Sequence, residues 1–142
     1  MELRQDSLSF LLADVSRLMR RAFRQRLQGS ALTLAQARVL IYVSIHEGCR
    51  QVDLADLLEV QPITLARLID KLVEAGLVER RPDPADRRAY QLYLTACAAP
   101  HLAAIEEVAT TIRADALRDL TEQEAAMVIL TLKKMRDNFA LH

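Results

Sequence analysis

Apolar residues recur at three- and four-residue spacing along most of this chain, and the places where that rhythm breaks mark the ends of six predicted helices and one hairpin. From about Ser7 to Gln28, the positions Leu8, Leu11, Leu12, Val15, Leu18, Met19 and Ala22 form a wide stripe that stops at Gly29. Thr33 is placed to cap a second helix in which Ala37, Leu40, Ile41, Ser44 and Ile45 share a face before Gly48 closes it. A short third helix, Gln51 to Leu58, is expected to turn Val52, Ala55 and Leu58 inward. Glu59-Val60-Gln61 then joins it to a fourth helix within the few residues a helix-turn-helix allows. That fourth helix, Pro62 to Ala75, puts Leu65, Leu68, Ile69, Leu72 and Val73 on one arc and leaves Ile63, Thr64, Arg67, Asp70, Lys71 and Glu74 outward.

After Gly76 the pattern changes to two extended runs, Val78-Glu79-Arg80-Arg81 and Tyr90-Gln91-Leu92-Tyr93-Leu94-Thr95, around the polar turn Pro82-Asp83-Pro84-Ala85-Asp86-Arg87-Arg88. Proline lacks a backbone donor, so Pro82 and Pro84 are expected to end the strand. Asp86 stands beside Arg87 and Arg88, where its carboxylate is placed to hold a guanidinium. The result is a hairpin with a basic tip, able to reach into a DNA groove.

Two further helices follow. The fifth carries Leu102, Ile105, Val108, Ala109, Ile112, Ala116 and Leu117, and Pro100 near its start is expected to disturb the turn containing Ala96. The sixth runs from about Thr121 to Leu141, opens on the capping box Thr121-Glu122-Gln123-Glu124 and presents Ala125, Val128, Ile129, Leu132, Met135 and Phe139. These terminal stripes exceed what one winged helix can cover. Exposed apolar surface of that extent is disfavoured in a monomer, so Leu8, Leu11, Leu12, Leu132, Met135 and Phe139 are the expected dimer contacts. The fold class is mainly α: one domain over 1–142, with a winged helix-turn-helix at about 33–95 and a dimerisation lobe from about 7–28 and 96–141.

Composition agrees with a single helical domain: 142 residues, 51% hydrophobic but only 4% aromatic, with three glycines and no tryptophan. No apolar run reaches the roughly 18 residues a membrane span needs, and the N-terminus lacks a basic flank followed by an apolar block and cleavage site. The expected location is the cytoplasm, on the nucleoid when DNA-bound, with no membrane partner. Cys49 and Cys97 are too few for a disulfide framework, and His46, His101 and His142 share no carboxylate-rich motif. Nothing calls for a metal, a cofactor or a catalytic triad. No glycine-rich phosphate loop or paired catalytic carboxylates point to an enzyme.

Charge complicates the DNA reading, because 19 basic residues balance 19 acidic ones. Residues 61 to 95 hold six basic side chains against five acidic, so affinity has to come from arrangement and from doubling in a dimer. The donors are nonetheless well placed. Gln61, Thr64, Arg67 and Lys71 at the fourth helix face a ligand with its N-terminus, Ile63 suits a thymine methyl, and Arg87 and Arg88, with Asp86 beside them, suit a flanking groove. The arginines of the first helix, Arg17, Arg20, Arg21, Arg24 and Arg26, form a solvated face, some of which, Arg17 and Arg21 with Arg38 of the second helix, is placed to line an anion pocket. Cys49 is read as a small buried hydrophobe; the alternative is a redox sensor, since the basic Arg50 beside it is placed to lower the thiol pKa.

Leu54-Ala55-Asp56-Leu57-Leu58-Glu59-Val60, Pro62-Ile63-Thr64, Arg67-Leu68-Ile69-Asp70, Gly76-Leu77-Val78 and Asp83-Pro84-Ala85-Asp86-Arg87-Arg88 resemble the MarR-family regulators, nearest the SlyA branch. The likeness is most specific from Val52 to Thr95, where the helix-turn-helix and the Asp-x-Arg wing of Asp86 and Arg88 occur in family order. It implies a bacterial homodimer whose first and last helices interlace around a two-fold axis. The recognition helices would enter successive major grooves of a palindromic operator, and the wing arginines the flanking minor groove. Many members repress promoters and release them on binding small phenolic or other lipophilic anions, so a small-molecule effector is an expected partner. Ala37 departs from the family, where an aromatic residue is frequent, and the cysteine of the peroxide-responsive relatives, nearer the N-terminus, has no counterpart here. The remaining alternative is the same fold without DNA function, a dimeric adaptor or metabolite-sensing module.

Overall fold

Every helix except α3 starts where a capping side chain or a proline fits its first turn. In the computed structural model, which describes residues 4–140, the order is α1 (Leu8–Arg26), α2 (Leu34–Ile45), α3 (Gln51–Leu58), α4 (Pro62–Glu74), β1 (Val78–Asp83), β2 (Asp86–Leu94), a 3-10 turn (Ala96–Ala98), α5 (Ala99–Leu117) and α6 (Glu122–Ala140). Leu141, the expected end of the last helix, and His142 lie outside the described residues. Ser7 caps α1 by accepting from the Phe10 amide at 3.5 Å. Thr33 and Gln36 exchange bonds of 3.2 and 2.9 Å as a capping box for α2, and Thr121 and Glu124 do the same for α6 at 3.1 and 3.0 Å.

The fifth helix differs from expectation. Residues 96–98 form a separate 3-10 turn, and α5 begins at Ala99, so Pro100 sits in its first turn, where the missing N–H has no helical acceptor to lose. The hairpin differs too. β1 continues through Pro82, paired with Tyr90, to Asp83, paired with Asp86, leaving Pro84 and Ala85 as the turn. Pro82 faces Tyr90 in the same phase as the Arg80–Leu92 pair, whose Leu92 amide and carbonyl bond residues 48–49 rather than β1, so the proline costs no ladder bond; the register shifts between Pro82 and Asp83. Arg87 and Arg88 therefore lie on β2 beside the turn rather than within a loop.

The core belongs to the middle of the chain: Leu40, Leu54, Leu65, Ile69, Leu72 and Leu92 are fully buried. α2 packs against α3, α4, α5 and β2, so it buries Val39 and Val43 as well as Ala37 and Leu40, while Ile45, read as inward from its spacing, is 66% exposed. A helix enclosed on several sides has no single apolar stripe to read. Val52 is 55% exposed, and Leu54 takes its place inside; Val73 is also exposed at the edge of α4. β2 gains a second backbone partner where the chain leaves α2: the Gly48 amide donates to the Leu92 carbonyl at 2.8 Å, and the Leu92 amide donates to the Cys49 carbonyl at 2.9 Å. Gly48 is suited to this corner, with φ of 87° and Tyr93 Oη 3.2 Å from where a Cβ would sit.

Candidate nucleic-acid interface

α3 and α4 form the helix-turn-helix. The turn between them is closed by Glu59, in the left-handed region at φ 54°, and by the Val60 amide donating to the Ala55 carbonyl at 3.1 Å. Neither helix has a side-chain cap: Arg50 and Gln61 occupy the cap positions without bonding the first-turn amides. α1 and α2, by contrast, are capped by side chains. Open N–H groups at helix starts are ready acceptor-binding sites for phosphate. On α4, Ile63, Thr64, Arg67 and Lys71 are exposed along the face opposite Leu65, Ile69 and Leu72.

The arginines of this region divide by what they bind. Arg80 is saturated: Nε donates to Gln51 Oε1 at 2.9 Å, Nη2 to the Ala66 carbonyl at 3.1 Å, and Nη1 lies 2.7 Å from Asp70 Oδ1. It ties α3, α4 and β1 into one unit. Arg81 pairs with Glu79 and lies over the Tyr93 ring, 3.8 Å from its centroid. Arg67, Lys71, Arg87 and Arg88 have no side-chain hydrogen bond or ion pair among the described residues. The near-neutral charge of 61–95 thus hides a partition: three of its acids, Asp70, Glu79 and Asp83, hold arginines, and four cations keep their donors free.

Asp83 anchors the wing. Its Oδ2 accepts from Arg50 Nε at 2.7 Å and its Oδ1 from the Ala85 amide at 2.8 Å, with the side chain almost fully covered. The Ala85 amide, together with Arg50, holds its carboxyl below the usual range, against the opposing effect of burial. Asp86 does not hold a guanidinium as expected; its Oδ1 accepts from the Arg88 amide at 2.9 Å, an Asx-type bond that shapes the start of β2. A cleft of about 290 Å³ runs between the starts of α3 and α4 and the wing, lined by Arg50, Gln51, Val52, Pro62, Arg88 and Tyr90, with Asp86 and Ala89.

Cys49 is half-buried and fits the small-hydrophobe reading better than the redox alternative. Burial, then the Asp53 carboxylate, push its thiol pKa up, and the Arg50 guanidinium that was to lower it is turned to Asp83. A second concavity, about 350 Å³, lies between α1 and α2, walled by Leu12, Val15, Met19, Phe23, Leu34 and Ile41 with the small Ala37 among them. Arg38 lines it. Arg17 and Arg21 do not; Arg20 is the α1 arginine at this wall, bonded to Ser16, while Arg17 pairs with Asp14 at 3.6 Å on the exposed face. A single position, about 100° of helix rotation, separates Ser16 and Arg20, which line the cavity, from Arg17 and Arg21, and spacing alone did not choose between them.

Arg50, Gln51, Arg80 and Asp83 were not singled out from the sequence. Arg50 and Asp83 are 33 positions apart, and their pairing depends on the hairpin returning against the start of α3. The alternating charge of Glu79-Arg80-Arg81 was the available signal, but it does not say which arginine faces inward.

Residues 32–89 match the sequence profile of the MarR family. Among solved structures, a crystal structure of MarR superposes with a TM-score of 0.86 at 28% identity, over 99% of this chain and 96% of that one. The Multiple Antibiotic Resistance Repressor, MarR, gives 0.82 at 29% identity over 94% and 96%. A cysteine-to-serine mutant of MarR from E. coli, complexed with operator DNA, gives 0.74 at 27% identity over 95% and 99%. With the MarR family's sequence pattern matched across the helix-turn-helix and most of the wing, and an architecture from α1 to α6 that superposes on MarR, this chain is similar to the MarR family and carries the winged helix-turn-helix fold of those structures.

Proposed function

We propose that the protein is a sequence-specific DNA-binding repressor that acts as a homodimer on a palindromic operator and is released by a small lipophilic or phenolic anion. The observation that carries this reading is the set of free cations, Arg67 and Lys71 on α4 and Arg87 and Arg88 on β2, beside two helices whose first-turn amides are uncapped. The similarity to a MarR mutant complexed with operator DNA supports the same assignment. Homodimerisation is supported by α1 and α6, neither of which buries a residue although both carry apolar stripes. Two copies related by a two-fold axis present two α4 helices to major grooves about 34 Å apart.

The effector reading rests on the cavity between α1 and α2, apolar except for Arg20, Arg38 and Ser16. An aromatic or aliphatic body suits its walls and a carboxylate or phenolate suits the arginines. α2 runs from this cavity to the corner that bonds β2, so a ligand there acts by favouring a spacing of the α4 helices that no longer matches the two grooves. Selection of duplexes from a random pool by the purified protein, followed by gel-shift titration at several salt concentrations, tests the reading. Saturable binding to an inverted repeat is expected. Weak binding indifferent to sequence would replace it with the adaptor reading. A compound that raises Tm without changing DNA affinity would sever the cavity from the DNA site.

A further inference from the structure

We propose that Arg50 is a backbone clamp: its guanidinium, oriented by Asp83, holds a DNA phosphate in the cleft between the helix-turn-helix and the wing. The inference rests on the DNA-binding reading above and deepens it. Arg50 contrasts with Arg80, whose three nitrogens are all engaged within the protein. Arg50 donates through Nε alone, to Asp83 at 2.7 Å, and its side chain is 41% exposed. Neither Nη atom has a partner among the described residues. Because the guanidinium is planar, holding Nε fixes the direction of the two remaining amino groups, and Arg50 lines the cleft together with Gln51 and Arg88. A guanidinium held this way loses less freedom on binding an oxyanion than a solvated one.

Geometry identifies the occupant. If α4 enters a major groove and the wing the adjoining minor groove, the sugar-phosphate strand that divides those grooves has to pass between them. The cleft lies on that path, between the helix-turn-helix and the wing, walled by Arg50, Gln51 and Val52 at the start of α3 and Pro62 at the start of α4 on one side, and by Arg88, Ala89 and Tyr90 on the other. The uncapped starts of α3 and α4 open beside it. Asp86 also lines the cleft, but its Oδ1 is engaged by the Arg88 amide. The clamp is blind to base identity, so it sets affinity and register while Arg67 and the wing supply discrimination.

The test uses the full-length protein and a duplex selected by it from a random pool, remade with single neutral methylphosphonates scanned along each strand. For the wild-type chain, one position per half-site should weaken binding about tenfold, and Arg50→Ala should be insensitive at that same position while binding every duplex about tenfold more weakly. Its log affinity against log salt should flatten by about one per protomer. Asp83→Ala keeps the Arg50 charge, so it should retain the salt slope while losing affinity, and Arg50→Lys should recover the slope. If Arg50→Ala and Asp83→Ala lose affinity equally with the wild-type slope, and no methylphosphonate effect disappears, Arg50 merely braces the wing and the clamp is overturned. If the wild-type chain selects no duplex at all, the DNA reading itself falls, and the clamp with it. Thermal melts of each variant separate both outcomes from misfolding.

Discussion

Leu65 in α4 and Phe139 in α6 both belong to apolar stripes at helical spacing, yet the first is wholly buried and the second is 83% exposed. The same contrast separates the winged lobe from the terminal helices. In the lobe, α2, α3, α4 and β2 enclose one another, and each helix buries three or four residues. In α1 and α6 no residue is buried, and Leu8 and Leu12 of the one share a groove with Met127, Val128, Leu132 and Met135 of the other. A stripe states that a face wants cover without saying from which chain the cover comes. The lobe finds it internally; the terminal helices leave theirs uncovered, which is what the proposed homodimer would supply.

The largest effect that would break this comparison comes from charging the terminal stripe. Leu12→Asp combined with Leu132→Asp should give a monomer by sedimentation and lower operator affinity about 100-fold or more, since the two half-sites would no longer be bound as one. A variant that stays dimeric would move the interface elsewhere. Next, Leu65→Ala should cost about 2 to 5 kcal/mol at any protein concentration. Leu132→Ala should instead produce an unfolding midpoint that rises with protein concentration, because its cover is a partner.

A smaller effect falls on the DNA face and leaves stability alone. Arg67→Ala should cost about 1 to 3 kcal/mol of operator binding if it reads a guanine. Arg87→Ala with Arg88→Ala should weaken binding with Tm unchanged, and unchanged binding would remove the wing from the interface. Two carboxylates then compare the regions by pH. Asp83 in the wing and Glu124 in the α6 capping box are both held below their usual values, Asp83 mainly by the Ala85 amide and Glu124 mainly by the Thr121 amide. The unfolded chain therefore binds more protons in acid. Their stabilisation is full above the ordinary carboxylate range of about pH 4 and is lost as pH falls through the lowered folded values. Denaturant melts over an acid series should show a shallower pH slope in Asp83→Asn, and likewise in Glu124→Gln. The smallest change is Glu59→Gly, which relieves a left-handed backbone and should shift stability by no more than about 1 kcal/mol in a urea melt.

Much of the fold was legible because its signals are local. A capping threonine with a partner three residues on, a glycine after a stripe and two helices joined by three residues are all read within one or two turns of chain. Thr33, Thr121, Gly48 and Glu59-Val60-Gln61 behave as their neighbours dictate. The misread positions share a different cause. Ile45, Val52 and Val73 fit an inward stripe, but α2 is enclosed from several directions and the others sit where an element runs past its neighbour. Pro82 has a place in a strand because its position in the register is one whose backbone nitrogen faces away from β2.

The candidate site divides the same way. Residue types and spacing along the chain determined the helix-turn-helix, the wing and the exposure of Ile63, Thr64, Arg67 and Lys71, because these follow from which side of α4 must be buried. Only the tertiary structure decided which arginines are free. Arg80 and Arg81 are as basic in sequence as Arg87 and Arg88, and Arg50 stood outside the motif. Packing brings Asp70, Gln51 and the Ala66 carbonyl to Arg80, and Asp83 to Arg50. A charge is a property of the residue, whereas an available donor is a property of its neighbours, and those neighbours come from distant parts of the chain.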